Sequence, residues 1–79
     1  MYAIVETFLT PSMEDPKLLR VEIRDTLNEA VECRDKLMEQ FFNDYGDDYR
    51  DLIYENSIEL TQIGEEISRC FYIKKIENR

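Results

Sequence analysis

What most restricts the fold of this chain is one long helical pattern set between two stretches of strand-like sequence. Thr26-Leu27-Asn28-Glu29 matches a capping box, in which a threonine oxygen and a glutamate carboxylate satisfy amides that a helix start leaves unpaired. Beyond it Leu27, Ala30, Val31, Leu37, Met38, Phe41, Phe42 and Tyr45 recur at offsets of 3, 4 and 7, the repeat of an amphipathic helix. Gly46 stands where such a helix would stop. A lone amphipathic helix must bury its stripe against a second layer, and in 79 residues the remaining material is strand-like.

Residues 2–9 are rich in β-branched and aromatic side chains, as suits a strand. Pro11 and Pro16 withhold backbone donors from any ladder, so Thr10–Lys17 reads as a loop. Residues 18–24 then alternate, with Leu19, Val21 and Ile23 on one face and Arg20, Glu22 and Arg24 on the other, the pattern of a half-buried strand. After the helix, Asp48–Tyr54 reads as a short second helical turn capped by Asp47, with Leu52 and Ile53 inward. Ser57–Ile63 and Glu66–Ile76 read as strands joined at Gly64-Glu65. The expected architecture is a single α+β domain over residues 1–79, in the order β-β-α-β-β. Its sheet is four-stranded and largely antiparallel, with one main amphipathic helix on one face.

One helix covers only one face of a sheet. In residues 2–9, Tyr2, Ile4 and Phe8 alternate with Ala3, Val5 and Leu9, so both faces are apolar. The last strand likewise opposes Cys70, Tyr72 and Ile76 to Ile67, Phe71 and Ile73. This predicts either a homodimer or partner contact on the bare face, reached through Ile4 or Tyr72, or its covering by the Pro11–Pro16 loop and the second turn.

The charge is unevenly placed. Of a formal net charge of −8, residues 25–55 carry ten acidic and three basic side chains, a balance of −7. Residues 1–24 sum to −1 and residues 56–79 to zero. At 100° per residue Glu29, Glu32, Asp35 and Glu39 share one outward arc, followed by Asp44, Asp47, Asp48 and Asp51. Like charges one turn apart weaken a helix by a few tenths of a kcal/mol per pair, and acids near its carboxyl end oppose the dipole. Tyr45, Tyr49 and Tyr54 interleave with these acids. Tyr45 and Tyr49 continue the core stripe, Tyr54 is expected at the surface, and tyrosine is common at binding hot spots. The expected partner-binding set is therefore Glu29, Glu32, Asp35, Glu39, Asp44, Asp47, Asp48 and Asp51 with Tyr49 and Tyr54. It would meet a basic surface, such as that of a nucleic-acid-binding protein, and it excludes direct nucleic-acid binding by this face. The competing expectation is that the acids only solvate the exterior. Arg34 falls inside the apolar stripe, and its head is expected to reach Glu6 or Glu22 or to extend to solvent.

Chemistry is restricted as firmly as shape. With no histidine, neither cysteine nor serine has the usual general base. Two glycines cannot build a phosphate loop or a dinucleotide fingerprint. Asn43–Glu55 is acidic, but its glycine and closing glutamate are out of register with a calcium loop. Cys33 and Cys70 are expected as free thiols and small apolar fillers. No basic leader or long apolar run is present, so the reading is a soluble cytoplasmic protein without membrane contact, catalysis, metal or cofactor.

The alternating strand at 18–24, the Thr26–Glu29 box and the acidic helix through Arg34-Asp35-Lys36-Leu37 together resemble a class of proteins. These are the small acidic proteins encoded by phages and mobile elements, among them anti-CRISPR and other anti-defence inhibitors. The likeness lies in size, charge and the β-α pattern of residues 18–45. It implies a compact non-enzymatic inhibitor that occupies a nucleic-acid-binding surface, in some cases as a DNA mimic, within the host cytoplasm. The resemblance assigns no role to any individual residue.

Overall fold

A computed structural model of the chain describes residues 1–46 and 48–76. Its order is β1 (Tyr2–Leu9), β2 (Lys17–Arg24), α1 (Leu27–Tyr45), β3 (Tyr49–Ile53), β4 (Ser57–Gln62) and β5 (Ser68–Lys75). All five strands form one antiparallel sheet in the order β2-β1-β5-β4-β3, with α1 against one face. The α+β class stands. The four-strand expectation does not, because Asp48–Tyr54 contributes a strand in place of a helical turn.

The reason lies in pairing across the sheet. Tyr49 faces Gln62, Leu52 faces Glu59 and Ile53 faces Ile58, so the segment gains a full ladder with β4. Tyr and Ile suit a pleated strand, and a helical turn this short would forgo those bonds. Two hairpin turns flank β4. Tyr54 N–H donates to the Ser57 carbonyl at 2.8 Å, and Gln62 N–H to the Ile67 carbonyl at 2.9 Å. The second turn needs the left-handed backbone of Glu66, at φ 57°.

The helix begins as its sequence requires, with one change. Glu29 N–H donates to Thr26 Oγ1 at 3.2 Å, the first half of the box. The Glu29 carboxylate accepts the Thr26 hydroxyl at 2.9 Å, not the Thr26 amide. At the far end Gly46, at φ 75°, donates its N–H to the Phe42 carbonyl at 2.8 Å. A residue with a Cβ is strained there, which is why the helix stops at a glycine.

Directly opposed residues of a ladder share a face, so the registers sort the sheet. On the helix side lie Ile4, Glu6, Phe71, Ile73, Ile58 and Leu60. From α1, Ala30, Cys33, Leu37 and Phe41 press down on them, and with Ile4, Leu60 and Phe71 form the core. Phe41 has no exposed surface, and its ring lies 4.9 Å from Tyr45 and 6.3 Å from Tyr49.

The other face carries Ala3, Val5, Val21, Ile23, Cys70 and Tyr72. Here β2 reverses the sense expected of a half-buried strand. Val5 faces Val21 and Ala3 faces Ile23, so the apolar residues of β2 lie on the side without a helix. Arg20, Glu22 and Arg24 project toward the helix side. Ala3 and Val5 are nonetheless buried, flanked by Val21 and Ile23 on one side and Tyr72 on the other. At one end of this face Pro16 of the loop borders a small open cleft together with Thr7, Leu9, Ser68 and Cys70. Ile4 is fully buried under the helix, so it cannot be a contact point on the bare face.

Candidate functional site

Glu29, Glu32, Asp35 and Glu39 are all exposed. Asp35 and Glu39 lie opposite the buried stripe of Ala30, Cys33, Leu37 and Phe41, whereas Glu29 and Glu32 border a groove of about 220 Å³ between α1 and β2, together with Glu22, Arg24 and Lys36. A rise of about 1.5 Å per residue spreads Glu29 to Glu39 over roughly 15 Å of one rigid element. Among the described residues, Glu29, Glu32 and Glu39 enter no ion pair. Asp35 differs, because Arg34 Nη2 lies 3.3 Å from its Oδ1 and partly neutralises it. The last turn of the helix holds no basic residue.

The remaining acids do not extend that row as one helical face. Asp44 is exposed in the last turn, while Asp48 and Asp51 lie beyond the helix, the latter within β3 at the sheet edge. Asp48 is tied by its backbone, its carbonyl accepting Ile63 N–H at 2.9 Å. Asp47 lies outside the described residues. Tyr49 is half-buried against the Phe42 ring at 4.9 Å, so it supports the core, whereas Tyr54 is exposed. The set therefore divides into a helical row and a separate acidic patch around β3.

Arg34 and Glu6 find partners other than each other. Arg34 pairs with its own neighbour, its head inclining to Asp35 and not to Glu6 or Glu22. Its side chain lines a groove of about 390 Å³ with Tyr2, Leu27, Val31, Ile73 and Lys75. Glu6, only 2% exposed, accepts from Arg69 Nη1 at 3.0 Å, and the Arg69 guanidinium also sits 5.6 Å from the centre of the Tyr45 ring. Sequence reasoning missed Arg69. The available signal was its period-2 spacing with Phe71 and Ile73, which puts a cation on the inner face of β5 beside the buried Glu6 of β1. An ion pair in that position is a structural feature, since leaving either member alone in the core is strongly unfavourable.

Both cysteines are free thiols. Burial pushes the Cys70 thiol up, helped by the facing Glu59 carboxylate, so it is protonated at neutral pH and a poor nucleophile. At the opposite edge the Arg50 guanidinium grips the Glu66 carboxylate through both nitrogens, and that partner raises the arginine's affinity for its proton. Among the described residues no group of three potential ligands is arranged to hold a metal, and no helix is long and apolar enough to cross a membrane. Comparison with protein families, characterised proteins and solved structures finds no match to this chain.

Proposed function

We propose that this is a non-enzymatic binding protein that engages a basic protein surface through the outer row of α1 and so blocks nucleic acid from that surface. The observation that carries this reading is an excess of acidic charge on the exposed part of one helix. Glu29, Glu32 and Glu39 stand exposed on a rigid helix and enter no ion pair among the described residues, although Lys36 lies one turn from Glu32 and Glu39 and Arg24 borders the same groove as Glu29 and Glu32. Adjacent acids of the row are separated by about 4.5–6 Å along the axis, the same order as the charge spacing along a nucleic-acid strand. A partner's lysines and arginines could meet these carboxylates as they meet phosphates. Asp44 and the acidic patch around β3 would extend the negative field and speed encounter.

The arrangement disfavours folding slightly, because like charges one turn apart repel. Solvation alone asks only for dispersed charge, so a concentrated row is better explained by recognition. The test is affinity capture from the host with two baits, the native protein and a Glu32→Lys/Asp35→Lys/Glu39→Lys variant. Circular dichroism would verify that both are folded. The native bait should retain a basic protein at low ionic strength and release it as salt rises, while the variant should not retain it. Equal retention by both baits would remove the acidic row from the mechanism.

A further inference from the structure

We infer that the free edge of β2 pairs antiparallel with β2 of a second copy of this chain, about a two-fold axis at Val21. The starting observation is that β2 is an edge strand with apolar side chains left in the open. Leu18, Leu19, Val21 and Ile23 are 63%, 44%, 48% and 44% exposed, and the last two flank the buried Ala3 and Val5. A long apolar edge is a template for adding another strand.

Backbone geometry limits the registers. In an antiparallel ladder, alternate residues point their N–H and C=O to the same edge. Two identical edges can therefore bond only when each residue meets one of the same parity, which puts the two-fold axis at a residue and never between two.

Charge then chooses among the centres in the regular stretch Arg20–Arg24. Centring on Arg20 sets Arg20 against Arg20 of the second copy. Centring on Glu22 sets Glu22 against Glu22 and Arg20 against Arg24 twice. Centring on Val21 sets Arg20 against Glu22 twice, with Val21 on Val21 and Ile23 toward Leu19. An Ile23 centre also matches Glu22 with Arg24, but it overlaps only the strand's end and drives Val21 against Asp25. Opposite charges directly across a ladder stabilise it and like charges destabilise it, so the Val21 centre is selected. The bulge opposite Glu6/Thr7 falls at Leu19, outside the central residues of that register. The product is a continuous sheet with both helices on one side.

The experiment is sedimentation equilibrium of the full chain, with charge swaps across the axis. Wild type should be a dimer at micromolar concentration. Arg20→Glu alone sets Glu against Glu twice, and Glu22→Arg alone sets Arg against Arg twice. Each should weaken association about tenfold. The double variant Arg20→Glu/Glu22→Arg recreates both pairs and should recover the wild-type constant. A monomer at 100-fold higher concentration, or a dimer indifferent to the single swaps, would overturn the inference. So would a double variant no tighter than the singles. Because no outcome involves the outer row of α1, a failure here leaves the proposed function standing, and the reverse also holds.

Discussion

The two sides of α1 are built from the same turns and do opposite things. Its inner side, through Ala30, Cys33, Leu37 and Phe41, is closed against the sheet, and each side chain there is held by neighbours. Its outer side, through Glu29, Glu32 and Glu39, forms no ion pair among the described residues. Residues of the first kind set how stable the helix is. Of the second kind, Glu29 also closes the cap through the Thr26 hydroxyl, whereas Glu32 and Glu39 have no place in the packing and are available for recognition.

That contrast can be broken most severely from the inside. Phe41→Ala removes a ring with no exposed surface and should cost about 3–5 kcal/mol, read from urea unfolding. In a chain whose total stability is roughly 4–12 kcal/mol, this leaves it near the unfolding threshold. Arg69→Met, which strands the buried Glu6 carboxylate, should cost about 3 kcal/mol by the same measurement. If it costs under about 1 kcal/mol, Glu6 is reaching water and the inner side is less closed than described.

At the boundary between the two sides, Thr26→Ala removes the oxygen that accepts Glu29 N–H and should cost about 1 kcal/mol. On the outer side the effect shrinks. Glu32→Gln with Glu39→Gln should move stability by no more than a few tenths of a kcal/mol, because each carboxylate loses repulsion from Asp35 and attraction to Lys36 one turn away. A loss above about 1 kcal/mol would mean that those carboxylates have further stabilising contacts. The smallest effect belongs to the bare sheet face. The Cys70 thiol is raised, so its contribution is full below the ordinary thiol range near pH 8.5 and fades as pH climbs through the raised value. Urea unfolding at neutral pH and at pH 10 should show wild type losing slightly more stability than Cys70→Ala.

The parts of this molecule legible in sequence were those decided by neighbours in the chain. The threonine cap, the stop at Gly46, the proline loop and the β-branched and aromatic run of β1 are all local, and they lie where expected. What escaped was decided at a distance. Tyr49–Ile53 became a strand because β4 offers it a ladder, and Leu52 beside Ile53 carries no period-2 signal of that. The apolar side of β2 turned away from the helix because the Val5–Val21 register put it there, and register is a tertiary property. Arg34 pairs with Asp35, and Glu6 is held by Arg69, a residue 63 positions along the chain. For the candidate site, the outer row of α1 was readable from helical angle alone, while the separation of Asp48 and Asp51 depended on β3.

The most direct measurement is competition at a captured partner preloaded with fluorescent duplex DNA, followed by anisotropy as this protein is added. The account predicts stoichiometric displacement of the DNA, steeply weakened by salt and abolished by reversing Glu32, Asp35 and Glu39. Simultaneous occupancy of the partner by both DNA and this protein, or displacement that survives the charge reversal, would contradict it.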